Sequence, residues 1–327
     1  MLTYSQRLAY CCDVDIHHNT KGNTMNQIVK VDEAAKFDKL IELEVTRQPG
    51  VYFNMPNDDY HAGPGISKSG LWTIHQSTPA HYKYPAEVVE TAASKATKAM
   101  GEATHTAVLE PNRFEESVVR GPDDRRGNKW SDLQTMCDLD GKVLLTGSDY
   151  DQVLAIRDTV HANSFLNGII TNGKSEVEAS GYFIDPITGA LCRVRPDLYK
   201  PQIKVMVDLK TTLSASAADF ARSVTNYGYH SQEAFYTDGY SALKRPVDGF
   251  VFIALEKKSP YAVSVFELPP AIVEEGRAIM RKSLDEYASC LASGVWHGYP
   301  EGVQELKFKR WAYNLTEAPN GLDDETA

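Results

Sequence analysis

Residues 195–212 read RPDLYKPQIKVMVDLKTT and contain the pattern that decides the fold. The apolar stretch in KVMVDLK predicts a buried β-strand over residues 204–210. Asp208 and Lys210 are two residues apart, so an extended backbone places both side chains on one face of that strand. Asp197 stands eleven residues before Asp208, at the end of the preceding predicted strand. Two acids and a lysine are therefore expected to project together from an apolar sheet.

A single D-x-K pair is usually an exposed ion pair at the end of a strand. Here the flanking apolar residues and the second acid favour a metal site instead, because carboxylate oxygens are the ligands that hold Mg²⁺ in proteins. A bound metal lowers the pKa of a water and neutralises charge that develops on phosphorus. A lysine beside it could orient or deprotonate that water, or stabilise the pentavalent phosphorane. The pattern thus indicates phosphodiester hydrolysis.

The rest of the chain predicts an α/β domain in which helices flank a mixed sheet. Helices are expected at 26–48, from Ser67, at 90–109, 147–166, 216–243 and 270–293, loops at 50–65 and 120–131, and hairpins at 178–194 and around Ser259 and Pro260. We expect residues 1–48 to be an N-terminal extension and helix, partly disordered, with Met25 as the natural start. Residues 49–315 would form the catalytic domain and residues 316–327 a disordered acidic tail.

Composition excludes some classes of function but does not identify one. The 327 residues are 42% hydrophobic, enough for a real core, and the longest apolar run, at 250–255, is too short to span a bilayer. Five scattered cysteines argue against a disulfide scaffold or zinc ribbon, and with no secretory signal they indicate a reducing cytoplasm. The net charge of −10 disfavours nucleic-acid binding but does not exclude it, because a nuclease can concentrate basic groups along one groove.

Four further residues extend the pattern in a fixed order. His105 lies in a predicted helix, Glu178 begins a predicted strand, and Gln232 and Tyr236 share one helical face at i, i+4. Each is weak alone, since a lone helical histidine is more often a core or surface residue. Glu176 is a less favoured alternative to Glu178. The ordered set is far more specific than any member.

The set belongs to longer stretches that resemble a known family. These stretches span about 65–256 and read GISKSGL at 65–71, GEATHTAVLEP at 101–111, EASGYF at 178–183, DPITGALCRVRPD at 185–197, VDLKTT at 207–212 and YGYHSQEAFYTDGY at 227–240. They resemble the RecB-like branch of the PD-(D/E)xK nuclease superfamily, and within it the RecE-type (exodeoxyribonuclease VIII) exonuclease domains. The resemblance implies a restriction-endonuclease-like α/β core with a central mixed β-sheet flanked by helices.

The resemblance also implies a function. It implies a Mg²⁺-dependent double-strand DNA exonuclease with 5′-to-3′ polarity that leaves 3′ single-stranded overhangs for recombination, with Mn²⁺ as a substitute metal. The implied partners are double-stranded DNA ends and a single-strand annealing protein, in a ring-shaped homo-oligomer without a membrane, in a bacterial cytoplasm and of phage or prophage origin. No iron–sulfur cluster is expected, because a cluster needs four cysteine ligands and only Cys192 and Cys290 fall in the catalytic region. The alternatives are an endonuclease on the same core and a DNA-end-binding module that does not cleave.

Site roles follow from the resemblance residue by residue. The implied metal ligands are His105, Asp197, Asp208 and the Leu209 carbonyl. Glu178 would support the metal, Lys210 would be the catalytic lysine, and Gln232 and Tyr236 would form the QxxxY motif, with Tyr229 touching DNA.

Two segments are candidate DNA contacts. Ser67, Lys68 and Ser69 stand at a predicted helix N-terminus, where backbone N–H groups favour a phosphate, so capture of a 5′-terminal phosphate competes with a plain serine N-cap. Arg125 and Arg126 lie in a basic loop that either contacts DNA or is a solvated charge run.

Overall fold

The computed structural model of the protein describes residues 29–30, 47–87 and 89–306. Its strands are β1 (Val29–Lys30), β2 (Gly50–Tyr52), β3 (Ile66–Ser67), β4 (Val118–Arg120), β5 (Val143–Leu145), β6 (Glu176–Val177), β7 (Ser180–Ile184), β8 (Leu191–Val194), β9 (Leu198–Lys200), β10 (Val205–Thr212), β11 (Gly249–Glu256) and β12 (Val263–Phe266). Its helices are α1 (Asn57–Ala62), α2 (Lys68–Gln76), α3 (Pro79–Lys83), α4 (Ala92–Leu109), α5 (Pro111–Ser117), α6 (Asn128–Asp140), α7 (Gly147–Ala162), α8 (Ser164–Thr171), α9 (Ala217–Tyr227), α10 (Tyr229–Ala242) and α11 (Pro270–Ser293).

A mixed sheet in the order β12-β11-β10-β9-β6 organises the described part of the chain. Strands β10 and β11 run parallel, whereas β9 and β12 join them antiparallel. Alternation along β10 and β11 sends Met206 and Phe252 into a core shared with α9, α10 and α11. It sends Val207 and Leu209 to the opposite face, into a core shared with α4, α7 and α8. Helices therefore cover both faces, as the sequence predicts.

A second sheet, β1-β2-β7-β8-β3, is joined to the first by two neighbouring corners. One corner lies between β6 and β7 and the other between β8 and β9. At the first corner Glu178 has a φ of +46°, and its N–H donates to the Asp197 carbonyl at 3.0 Å. The predicted strand over 178–184 is thus wrong at its first residues, because the hairpin bends there from one sheet into the other. The bend places Asp197 where the chain enters the main sheet, directly before β9.

The helix predicted over 216–243 is interrupted at Gly228. This residue has a φ of +65° and ends α9 with its N–H bonded to the Val224 carbonyl. A Cβ at this position would also lie 2.7 Å from the Trp72 ring. Only glycine meets both conditions, since a side chain would be strained by the dihedral angle and would clash with the indole.

Other boundaries differ from the prediction for local reasons. The helix predicted over 147–166 ends early, because Asn163 caps α8 by accepting the Leu166 N–H at 3.2 Å. The loop predicted over 50–65 contains β2 and α1, and the loop over 120–131 leads into α6. Short elements of this kind carry little periodic signal.

The N-terminal prediction is tested at only a few positions. Val29 and Lys30 pair with β2 as a strand, so this part of the predicted helix over 26–48 is wrong; a β-branched residue such as Val29 favours extended backbone. The rest of the N-terminal extension and the acidic tail over 316–327 lie outside the described residues. Within the described ranges no helix combines the length and apolarity needed to cross a membrane.

Candidate active site

The structure brings Asp197 and Asp208 together at one end of neighbouring strands. Strand β9 is antiparallel to β10 with Leu198 opposite Val207, so Asp197 stands beside Asp208. The Asp197 carboxylate accepts the Leu209 N–H at 2.7 Å. This bond ties the corner before β9 to the backbone of β10 and fixes the separation of the two acids.

The two carboxylates share a poorly solvated environment. Burial and, after it, the Asp208 carboxylate raise the pKa of Asp197 to about 6, although His105 and Lys210 offset part of the shift. Negative charge is therefore in excess at this corner. A cation bound between the acids would relieve that excess.

Lys210 and Gln232 close a network around Asp208, whose side chain is only 1% exposed. The Lys210 ammonium forms an ion pair with the Asp208 carboxylate and donates to the Gln232 side-chain oxygen at 3.1 Å. The Gln232 amide in turn donates to Asp208. Burial lowers the pKa of Lys210, but Asp208 and Asp197 together outweigh burial and raise it. Lys210 thus holds a positive charge in this arrangement.

His105 connects helix α4 to the two strands. Its Nε2 lies 3.1 Å from the Leu209 carbonyl, and its Nδ1 lies 3.6 Å from the Asp197 carboxylate. The carbonyl can only accept, so Nε2 carries the proton in this contact. In a neutral imidazole the Nδ1 lone pair then faces Asp197. His105, predicted from its helix alone, is in direct contact with the strand site.

Glu178 lies at the bend between the two sheets and is half-buried. It interacts electrostatically with Glu102, a residue that the sequence motifs do not include. Burial, followed by the Glu178 carboxylate, raises the pKa of Glu102. Glu102 precedes His105 by three residues, so the two share a helical face, and that spacing could have identified it from the sequence. Glu176 is instead buried in an ion pair with Arg245, which explains it as a structural acid.

Helix α10 presents its aromatic residues to the same site. The Tyr229 ring lies 4.7 Å from the Lys210 ammonium and stacks on Phe252. Tyr236 is hydrogen-bonded to the backbone of Arg195, and burial raises its pKa well above the ordinary value. Together with Gln232, these residues hold the strand site from the side of the helix.

The segment Ser67–Ser69 lies beside the same site. The Ser67 hydroxyl caps α2 by accepting the Gly70 N–H at 3.4 Å and lies 3.0 Å from the Ser69 hydroxyl. Lys68 donates to the Tyr227 carbonyl at 2.6 Å, with its ammonium 4.9 Å from the centre of the Trp72 ring. Burial, followed by repulsion from Lys210, lowers the pKa of Lys68 to about 8. A second, half-buried cation thus lies close to Lys210.

The predicted basic loop is internally neutralised. Arg125 pairs with Asp149 at 2.6 Å, and Arg126 pairs with Asp124 at 3.0 Å. These ion pairs support the alternative of a solvated charge run.

The donor set fits a divalent cation. Within the described part of the chain, no three His, Cys, Asp or Glu side chains converge closely enough to form a metal site by themselves. The donors lie in two groups: Asp208 forms an ion pair with Lys210, and His105 lies next to Asp197. Two carboxylates, an imidazole and the Leu209 carbonyl together supply the oxygen and nitrogen atoms that divalent ions use in phosphodiester chemistry.

A protein family and solved structures share features with this chain. Residues 67–308 match the family described as a PDDEXK-like domain of unknown function (DUF3799). A candidate exonuclease from Eubacterium rectale superposes with a TM-score of 0.50 at 13% identity, covering 74% of this chain and 88% of that one. A phage-related exonuclease from Haemophilus somnus 129PT gives a TM-score of 0.31 at 9% identity, covering 74% and 91%. No curated protein matches the sequence. The predicted fold class and superfamily are confirmed.

Proposed function

Because the chain belongs to the family of PDDEXK-like domains, we propose that it is a divalent-metal-dependent deoxyribonuclease that degrades double-stranded DNA from its ends. The observation that carries the proposal is the close approach of half-buried Asp197 and Lys210 to buried Asp208 on neighbouring strands. A structural ion pair would need only one acid. A second buried carboxylate with a raised pKa adds electrostatic cost that a functional site can justify.

Asp197, Asp208, His105 and the Leu209 carbonyl would hold the metal, with Mg²⁺ as the proposed ion and Mn²⁺ as a substitute. A bound Mg²⁺ supplies Lewis-acid activation of water and neutralises charge on the scissile phosphate. The Leu209 N–H keeps the Asp197 carboxylate oriented through its hydrogen bond. Gln232 bridges Asp208 and Lys210 and so fixes their relative positions.

Lys210 contributes a fixed positive charge in a water-poor place. The Asp208 carboxylate and the face of the Tyr229 ring both stabilise its ammonium. Such a preorganised charge acts strongly on developing negative charge, because little water competes for it. Lys210 would stabilise the charge that accumulates on the phosphate oxygens during cleavage.

The 5′-to-3′ polarity and the 3′ overhang rest on the resemblance to RecE-type exonuclease domains. The position of Lys68 and the two serines beside Lys210 supports this polarity, since a 5′-terminal phosphate there would meet a half-buried cation and a helix N-terminus. A role in recombination with a single-strand annealing protein, and a ring-shaped homo-oligomer, belong to the same proposal.

Digestion of end-labelled linear duplex DNA tests the proposal. We expect release of 5′ label as mononucleotides with Mg²⁺, no release in EDTA, and no cutting of a closed circle. Asp208→Asn serves as the matched inactive control. Cutting of the circle would identify an endonuclease. Retained binding of ends without cleavage by any divalent metal would identify a binding module.

A further inference from the structure

A groove opens directly beside Lys210. Its volume is about 530 Å³, and its walls are the end of β10 with the following loop, helix α9, and Lys257. The Lys257 N–H donates to the Thr212 carbonyl at 3.0 Å, which fixes the backbone of that wall. The volume lies in the range of sites that enclose one small ligand, roughly 300–1,000 Å³, so a nucleotide-sized unit fits but a duplex does not.

Two large apolar side chains on this groove are exposed. Tyr227, the last residue of α9, is 60% exposed, and Leu213, in the loop after β10, is 77% exposed. The Tyr227 ring is not loose, because it stacks on Tyr229 with ring centroids 5.7 Å apart and planes 29° apart. Tyr229 in turn contacts Lys210. The Tyr227 ring is thus supported by Tyr229 and exposed to solvent, and Tyr229 connects it to Lys210.

Cations accompany these apolar groups. Lys210 and Lys257 line the groove, and Arg222 lies on its α9 wall, paired with Asp219. An ammonium beside an exposed aromatic ring is the combination that recognises a single strand, since the phosphate meets the charge and the base stacks on the ring.

We propose that this groove holds an unpaired nucleotide of the DNA strand next to the cleaved bond, with Tyr227 stacking on its base. The inference rests on the proposed nuclease function and adds a positioning residue to it. Stacking on a tyrosine tolerates every base, so the groove imposes no sequence preference. Leu213 would contact the same nucleotide from the other wall.

Binding measured without cleavage tests this role. A fluorescent single-stranded oligonucleotide of about eight nucleotides, within the usual site size, is titrated with the full chain in EDTA. We expect Tyr227→Ala to weaken binding about tenfold or more and Tyr227→Phe to change it less than about twofold. Tyr299→Ala, which removes an exposed ring outside the groove, is the matched control and should bind as the unaltered chain does.

An abasic oligonucleotide of the same length separates stacking from charge. It should bind the unaltered chain and Tyr227→Ala equally. The inference is overturned if Tyr227→Ala binds the normal oligonucleotide as tightly as the unaltered chain, or loses affinity for both oligonucleotides to the same extent. Because no metal is present, the result is independent of hydrolysis: a chain that never cleaves DNA but shows the tyrosine effect contradicts only the nuclease proposal.

Discussion

The Asp197 carboxylate accepts a hydrogen bond from the Leu209 N–H at 2.7 Å, and this contact joins the corner between the two sheets to the strand that carries Asp208 and Lys210. Without this bond the side chain of Asp197, which precedes the first residue of β9, could turn toward solvent. The bond instead holds it over β10, while the carbonyl of the same Leu209 faces His105. The backbone N–H and C=O of one residue therefore position both an acid and a histidine.

Asp208→Asn should abolish cleavage and spare DNA binding. The substitution removes a metal-binding charge but keeps the shape of the side chain, so we expect activity to fall by more than about 100-fold. Binding of duplex ends in EDTA should change less than about threefold, because no phosphate contact is lost. Asp132→Asn, which removes an exposed carboxylate on α6 outside the groove, is the matched control. Cleavage that survives in Asp208→Asn would mean that the metal site is elsewhere.

Lys210→Met should lower turnover while leaving metal affinity nearly unchanged. Methionine keeps the unbranched apolar chain beneath Tyr229 but removes the charge, and we expect a fall in kcat of about 100- to 1,000-fold. Mn²⁺ binding, followed by calorimetry, should stay within about threefold. Lys210→Arg should recover part of the activity. A variant that binds metal poorly yet turns over normally at saturating metal would contradict the assigned role.

Lys68→Met should matter chiefly for ends that carry a 5′ phosphate. The ammonium is half-buried beside Lys210, so water competes for it less than for an exposed lysine when it compensates a phosphate charge. We expect about a tenfold loss of rate on 5′-phosphorylated duplexes and less than about a twofold change on 5′-hydroxyl duplexes. Lys258→Met, an exposed lysine at the turn after β11, is the control. An equal loss on both substrates would mean that Lys68 does not act on the 5′ phosphate.

The catalytic strand was predictable because its signal is local. The apolar VMV run, the two-residue spacing of Asp208 and Lys210, and the i, i+4 spacing of Gln232 and Tyr236 all survive in the structure. Each depends only on the period of one strand or one helix. The mixed sheet with helices on both faces follows from the same periods.

The corners and the groove were not predictable in this way. The bend at Glu178 and the break at Gly228 depend on what packs against them, such as the Trp72 ring at Gly228. Tyr227 lies within the sequence stretch that identified the helix, but its exposure follows from the break and not from a spacing. Tertiary contacts decide such features, and a single sequence carries no periodic trace of them.

Metal affinity should fall on acidification through pH 6. The folded pKa of Asp197 is about 6, above its ordinary value of 3.8, so its proton competes with the metal below that pH. We expect the Mn²⁺ dissociation constant, measured by calorimetry, to rise by up to about tenfold between pH 6 and pH 5 and to level off above pH 7. Asp197→Asn should bind weakly, with a shallower dependence on pH across this range. An affinity unchanged from pH 5 to pH 7 would contradict the prediction.

Glu233→Gln should stabilise the protein at alkaline pH. Burial, followed by the neighbouring Glu267, raises the pKa of Glu233 to about 8, and one of its carboxylate oxygens is buried without a hydrogen bond. The unfolded chain ionises this group near pH 4.5, so stability is lost as pH rises from about 4.5 to 8. We expect Glu233→Gln to gain about 2 kcal/mol in unfolding free energy at pH 8, a value reduced from the full shift because the side chain is partly exposed.

Denaturant unfolding at pH 5 and pH 8 measures the effect. The advantage of Glu233→Gln should be small at pH 5, which lies only about half a pH unit above the pKa of the unfolded chain, and should grow toward pH 8. Glu275→Gln, an exposed acid on α11, should show no such growth. A Glu233→Gln variant with the same stability as the unaltered chain at pH 8 would mean that this carboxylate is solvated in the folded protein, and that α10 packs less closely beside Gln232 than the buried oxygen indicates.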